Sequence, residues 1–402
     1  MKLYVYEDID ALNLEPIALT QPTFNIRSGA FTCLERLIKF FPSAHLSFIV
    51  RDALADFVRE RYSKFEVNPT NIEKGIWVLG NVLWTKQDID FIIKGGFRAY
   101  ERKNKIIAAN FSGQQGKEWI NNGGPLNIGV LNKRLINRRL KSPVINYLWD
   151  AVKYNPTQIR NDSQFFKLGH VSIDSNKVTF INPERIFVDD YSNINFNTIL
   201  DASEGEIIID KNVEINPFCY LKGPLFIGEN TVVQPYTFVK GGTTIGPFSR
   251  ICGEISQTII QGLTNKSHNG YLGNSYIGQN VNFGAGTNCS NLKNNYNNIK
   301  VQINKSIINT NSKKIGCFVG DYTMTAIGTC LNTGTVVGTG CNIVSSGFPP
   351  KYLPPFTWYF NRKSYKYKWN KFVSTVEIVN KRKGLHFSKV EKGLLKKINS
   401  EI

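Results

Sequence analysis

Ile209, Ile215, Leu221, Ile227, Val233, Val239, Ile245 and Ile251 stand six residues apart without a miss, in a stretch rich in Gly, Pro and Asn. Helices repeat near 3.6 residues and ordinary strands near 2. A branched aliphatic at every sixth position therefore fits a chain that turns a corner after each short strand and points one side chain per strand into a common axis. Gly228, Gly246, Pro217, Pro235 and Pro247 fall where corners are expected, since tight corners need a positive or preset φ. The frame returns at Ile277 and Phe283, and again at Val319, Leu331, Val337 and Ile343, with Thr325 as the polar exception. This region is predicted to be a column of stacked coils, which buries its core only by stacking and leaves long flat outer faces.

At 402 residues the chain is too long for one core and suggests about two domains plus a tail. The net charge of +18 favours anionic partners, although the abundance of Asn, Ile and Lys also fits a compositional bias. Aromatics are not interleaved with the basic residues, so no nucleic-acid partner is expected. The seven cysteines are scattered and never form a CxxC pair, and no run of 18 apolar residues or secretory leader is visible. A cytoplasmic protein with buried thiols and no membrane partner is expected.

Residues 1 to about 110 alternate short apolar strands (KLYVYE, LSFIV, GIWVLG) with helical stretches near Thr32–Phe41, Asp52–Tyr62 and Thr85–Ile93. That alternation predicts an α/β layer with a partly parallel sheet, whose ligands sit at the carboxyl ends of strands. Val144–Val152 reads as a helix that Asn155-Pro156 should end. The expected division is residues 1–200 for the α/β domain with its connector, 201–358 for the coils and 359–402 for a basic tail of two short amphipathic helices. Within the coils, which run from Glu206 to Ser346, residues 252–276 and 288–314 break the period. Such breaks are the expected places for function.

The first break ends in Asn265-Lys266-Ser267-His268-Asn269-Gly270-Tyr271-Leu272-Gly273, and the second follows Asn282-Phe283-Gly284-Ala285-Gly286-Thr287. An imidazole beside glycines at a coil edge suits a general base, because it titrates near neutrality. By residue type alone, a lone histidine more often satisfies hydrogen bonds than performs catalysis. These segments resemble the acyltransferase half of the bifunctional N-acetylglucosamine-1-phosphate uridyltransferase/glucosamine-1-phosphate acetyltransferase family, matching its pattern from His268 through Tyr271 and Asn282 to Asn291. The resemblance implies a left-handed parallel β-helix that assembles as a homotrimer and binds acetyl-CoA as co-substrate between neighbouring coils. It further implies that His268 deprotonates a sugar amine, that Tyr271, Asn282, Asn291 and Arg250 hold the sugar phosphate, and that Ala285 and Thr339 touch the cofactor. Leu292 departs from that pattern, as does the single arginine of Ser249-Arg250-Ile251-Cys252.

A wider likeness extends over most of the chain. Leu19-Thr20-Gln21-Pro22, Ile26-Arg27-Ser28-Gly29, Thr32-Cys33-Leu34-Glu35-Arg36, Leu200-Asp201-Ala202-Ser203-Glu204-Gly205 and Pro354-Pro355-Phe356-Thr357-Trp358 resemble the sugar nucleotidyltransferases that carry the same coils behind a divergent Rossmann-like N-terminal domain. That resemblance implies a nucleoside triphosphate (UTP or dTTP) and a hexose or N-acetylhexosamine 1-phosphate as substrates, with Mg²⁺ as cofactor. The product would be a nucleotide sugar of the UDP-N-acetylglucosamine kind. Nucleotidyl transfer needs a cation at the α-phosphate and close backbone approach to the phosphates. Arg27 is the candidate catalytic cation, Gly29 and Arg36 candidate substrate contacts, and Asp8 the candidate metal ligand, because Asn81 stands where the usual strand ends in Gly-Asp. Two alternatives stay open: an acetyltransferase with a degenerate N-terminal domain, and a non-catalytic scaffold that binds a nucleotide sugar.

Overall fold

The computed structural model describes residues 1–96, 98–102, 105–126, 136–137, 140–171, 177–345 and 347–401. The expected end of the coils at Ser346 lies outside the described residues. The N-terminal sheet has the order Glu66–Val67, His45–Ile49, Lys2–Tyr6, Gly75–Leu79, Lys105–Phe111, Ala99–Arg102, Ile136–Asn137. Its first four strands are parallel, and Lys105–Phe111 runs against both of its neighbours. Both sides are covered, so Leu3, Tyr4, Val5 and Tyr6 are all buried and Tyr4 stacks on Trp77. Helices α1 (Cys33–Phe40), α2 (Asp52–Arg61), α3 (Lys86–Lys94) and α4 (Gly113–Asn121) follow. Thr32 starts α1 through a reciprocal cap with Glu35, which satisfies two orphan backbone N–H groups.

Helix α5 (Leu148–Asp162) passes through Pro156, contrary to the expectation that proline would end it. Packing outweighs the lost backbone bond. The preceding Asn155 side chain accepts from the Gly29 N–H at 2.6 Å and donates to the Gly242 carbonyl at 2.8 Å, pinning the helix between head and coils.

The remaining chain winds into a parallel β-helix of three faces. One face runs from Val178–Ile181 to Cys330–Leu331 and a second from Ile186–Val188 to Tyr352–Leu353. The third starts at Asn193–Ile194, is carried across Asn282 by single bridges, and resumes at Met324–Thr325. The parallel ladder thus starts at Val178, ahead of residue 201. All eight aliphatics of the opening series are fully buried. Left-handed positions in the column fall to glycines such as Gly286, Gly328, Gly334 and Gly340, and also to asparagines and aromatics. Pro217-Phe218, Pro235-Tyr236 and Pro247-Phe248 place proline before a residue at φ 63°, 60° and 57°. Proline presets the first central residue of each turn, and ring stacking between successive coils, as in Phe218 on Tyr236, supports the second. Glycine also serves where coils touch: a Cβ on Gly246 would lie 2.2 Å from the Gln261 carbonyl oxygen.

Residues 252–276 are not a loop. Coils continue through Glu254–Ser256, Ile259–Gly262, Asn265–Lys266 and Tyr271–Gly273 after a slip of the six-residue frame. Asn288–Cys289 is still a rung of the first face, and the chain leaves the column after it, through the hairpin Lys300–Ile303 with Ser306–Asn309.

The head lies along the second face of the column. Outward residues of that face, Ile208, Phe226, Ile259, Tyr276, Phe318 and Val336, are buried against Ile17, Ile26, Ala30, Trp149 and Ile159. The tail forms α6 (Trp369–Arg382) and α7 (Lys389–Ser400), as expected, and α7 packs on α2 of the head. Among the described residues no helix is long and apolar enough to cross a membrane.

Candidate functional site

Between head, third face and tail lies a cleft of about 1300 Å³. The head contributes Asn25, Arg27, Glu35 and Arg61, the coils contribute Arg250, Gln261, Asn280 and Asn282, and the tail contributes Arg382 and Lys383. Five cationic side chains thus face a single carboxylate, that of Glu35, among the cleft-lining residues described. A cleft of one charge sign concentrates ligands of the other.

Arg27 is held at the cleft floor by contacts that span both domains. Its backbone N–H donates to the Tyr276 hydroxyl at 2.9 Å, one guanidinium nitrogen donates to the Ala30 carbonyl at 2.5 Å, and another lies 3.4 Å from the Glu35 carboxylate. Gln261 ties the same segment to the coils by donating to the Asn25 carbonyl and accepting from Tyr276. Arg27 is 6% exposed and its Nε has no partner. Burial pushes the Glu35 carboxyl up, but the Arg27 guanidinium and the Thr32 cap outweigh it and hold the group below its ordinary value.

Arg250 and Asn282 are exposed on the third face and open onto this cleft, so the structure brings three sequence candidates together. Gly29 and Arg36 lie elsewhere. Arg36 is enclosed, donating Nε to Asp162 at 2.9 Å and Nη2 to the other carboxylate oxygen at 2.7 Å, and also reaching the Ser28 carbonyl. Gly29, at φ 80°, sits against α5, where a Cβ would lie 2.3 Å from the Asp162 Oδ2. Both residues brace the loop that presents Arg27.

Asp8 is buried at the end of the first strand, where Lys105 Nζ lies 2.7 Å from it and 2.8 Å from Asp10. Burial pushes the Asp8 carboxyl up despite that ammonium. A divalent cation does not fit there as the side chains stand, because Lys105 already fills the space between the two acids. Among the described residues no group of three or more His, Cys, Asp or Glu gathers around one point. Asn81 is also committed to structure, donating to the Ile145 carbonyl at 2.7 Å.

His268 is exposed at the corner that follows Asn265–Lys266 on the third face. Past that corner, on the first face, Asn291 donates to the Tyr271 hydroxyl at 2.8 Å and to Asn274 at 2.6 Å. The sugar-phosphate set implied by resemblance is thereby split, with Asn282 and Arg250 on one side of the corner and Tyr271 and Asn291 on the other. Ala285 and Thr339 are not brought together either. Ala285 lies at the coil corner of Gly284–Gly286, whereas Thr339 is fully buried near the Pro16 carbonyl of the head.

Sequence reasoning missed Arg61, at the end of α2, and Arg382 and Lys383, whose places depend on how the tail folds back. It also missed Lys266, which points inward opposite Ile251, 2% exposed, donating to the Cys252 carbonyl at 2.8 Å and the His268 carbonyl at 3.1 Å. The signal was present: Lys266 stands six residues after Ile260 and six before Leu272.

Residues 3–171 match the model of the sugar nucleotidyl transferase family. A bifunctional sugar-1-phosphate nucleotidylyltransferase/acetyltransferase of Sulfurisphaera tokodaii is 30% identical over 173 residues, covering 42% of this chain and 42% of that protein. The bifunctional protein GlmU of Wigglesworthia glossinidia brevipalpis is 27% identical over 264 residues, 54% of each chain. The chain thus spans about half the length, or less, of these curated relatives. A hexapeptide transferase family protein from Anaplasma phagocytophilum is 17% identical in a superposition covering 56% of this chain and 98% of that one, with a TM-score of 0.27. The likeness to the sugar nucleotidyl transferase family is thus carried by residues 3–171, which span the head and α5, ahead of the β-helix.

Proposed function

We propose that the chain transfers a nucleotidyl group to a sugar 1-phosphate. A phosphate oxygen of the sugar 1-phosphate attacks the α-phosphorus of a nucleoside triphosphate. The bond from that phosphorus to the α,β-bridging oxygen breaks, and pyrophosphate leaves with the electron pair. UTP or dTTP with a hexose or N-acetylhexosamine 1-phosphate are the substrates expected, and Mg²⁺ arrives with the triphosphate. The carrying observation is Arg27, buried yet with an unpartnered nitrogen, at the floor of a cationic cleft, within the segment that matches the family. Its guanidinium, placed at the cleft floor by Glu35 and Ala30, would oppose charge that builds on the α-phosphoryl oxygens. The cleft volume is ample for both substrates.

The test is pyrophosphate release from UTP, dTTP, CTP or GTP with a panel of sugar phosphates and Mg²⁺. Arg27→Ala should lower the rate about 10²-fold or more. An unchanged rate removes Arg27 from the chemistry, and silence in every well refutes the reading.

Acetyl transfer is a second reading, favoured by the exposure of His268 at a corner whose carbonyl is anchored by Lys266. His268 would take the proton of a sugar amine as the amine attacks the thioester carbonyl of acetyl-CoA and the CoA thiolate departs. A homotrimer belongs to this reading, and sedimentation near three times 45.5 kDa is its mark.

A further inference from the structure

The tail does more than cover the end of the column. Helix α6 stops in a tight C-terminal turn: Gly384 takes φ 68°, and the Leu385 N–H returns to the Asn380 carbonyl at 2.9 Å. That turn swings Lys383 across the cleft, where its Nζ donates to the Leu263 carbonyl at 2.5 Å and to Asn280 Oδ1 at 3.0 Å. Helix α7 locks the turn in place, through the Ser388 hydroxyl on Glu60 at 2.6 Å and the Tyr322 hydroxyl on Glu391.

Lys383 therefore holds its charge against two neutral oxygens. The charged groups facing it are Arg27, Glu35 and Arg61 from the head, Arg250 from the coils and Arg382 from its own helix. Tyr62 lines the same cleft, and the Tyr322–Glu391 pair lies near Asn280. Glu35 is already engaged by Arg27 and by the cap of α1. Burial without a carboxylate partner pushes the Lys383 ammonium down to about 8. Positive charge gathered in this way lacks its counter-charge, and a phosphate entering the cleft supplies it.

We propose that Lys383, carried by the C-terminal tail, is a phosphate-binding residue of the cleft, acting with Arg250 across from it on the phosphates of the substrate. The proposal rests on the cleft being the substrate site. It makes the tail a third wall of that site.

The experiment is titration calorimetry of the full chain with inorganic pyrophosphate, from pH 7 to 9.5, in buffers of different ionisation enthalpy. An anion beside Lys383 raises its pKa above the value of the free protein. Binding near pH 8.5 should therefore take up protons, and affinity should fall as pH rises above 8. Lys383→Gln should weaken binding about tenfold or more and abolish the proton uptake, with Lys381→Gln, on the exposed side of α6, leaving both unchanged. Melting curves establish that the variants are folded. Wild-type protein that fails to bind pyrophosphate, or a Lys383→Gln protein with unaltered affinity and proton uptake, overturns the proposal. Turnover is measured separately: Lys383-dependent binding without nucleotidyl transfer would sink the reaction and leave this site standing.

Discussion

Lys266→Met tests the energetics of the column most directly. The wild-type ammonium is enclosed in a largely apolar prism, and burial drives it from the ordinary 10.5 down to about 8, with the neighbouring Cys252 opposing slightly. A drop of that size corresponds to about 3 kcal/mol of cost for holding the charge in the folded state at neutral pH. Methionine removes that cost and fills similar space. Against it stand the two corner carbonyls, Cys252 and His268, which lose their donor at about 1 kcal/mol each. The variant should be the more stable protein at pH 7, by about 1–2 kcal/mol, or roughly 1–3 °C for a cooperative unit of about 400 residues. The sign of the pH dependence follows from linkage. Between about pH 8 and 10.5 the unfolded wild-type chain binds more protons than the folded one, so wild-type stability climbs with pH. The variant lacks this contribution. Melting temperatures taken from pH 7 to 10.5 should show its advantage shrinking by the equivalent of about 3 kcal/mol and then reversing. Other titrating groups are common to both proteins and cancel. A difference that stays constant with pH, or a variant less stable at pH 7, refutes the reasoning.

Arg36→Ala should destabilise the protein by about 3–5 kcal/mol, because it leaves the Asp162 carboxylate buried without its cation. Arg36→Met with Asp162→Leu should cost much less, and chemical denaturation midpoints compare the two. Gly29→Ala combines a left-handed backbone with a Cβ clash against Asp162 and Gln158, and should lower stability by about 2 kcal/mol or more. Acetyl-CoA-dependent thiol release with an amino sugar phosphate should disappear in His268→Ala. Release that persists would exclude His268 as the base.

The six-residue frame was enough to place every inward aliphatic from Ile209 to Ile251, because stacking requires the same register on each coil. Strands KLYVYE, LSFIV and GIWVLG were equally legible, as apolar runs covered on both sides. What the sequence concealed was long-range docking. Nothing local to Gln21 signals that it donates to Asp321, 300 residues away, or that Asn155 ties Gly29 to Gly242. Arg27 was legible as a candidate from its motif, but its neighbours Arg250 and Lys383 are assembled by tertiary structure alone. Pro217, Pro235 and Pro247 were legible as corner residues, whereas nothing local showed that ring stacking would let Phe218 and Tyr236 hold the left-handed positions beside them. Pro156 misled because tethers on both sides of α5 outweigh its missing backbone donor.

The side-by-side seating of the head has a practical meaning for anyone who wishes to dissect this chain. Ile208, Phe226, Ile259, Tyr276 and Phe318 form a greasy strip that water never meets while the two parts stay joined. Severing the polypeptide near residue 200 would expose that strip on one fragment and its complement on the other, inviting both to precipitate. Head and column are, in this molecule, a single body joined along that strip.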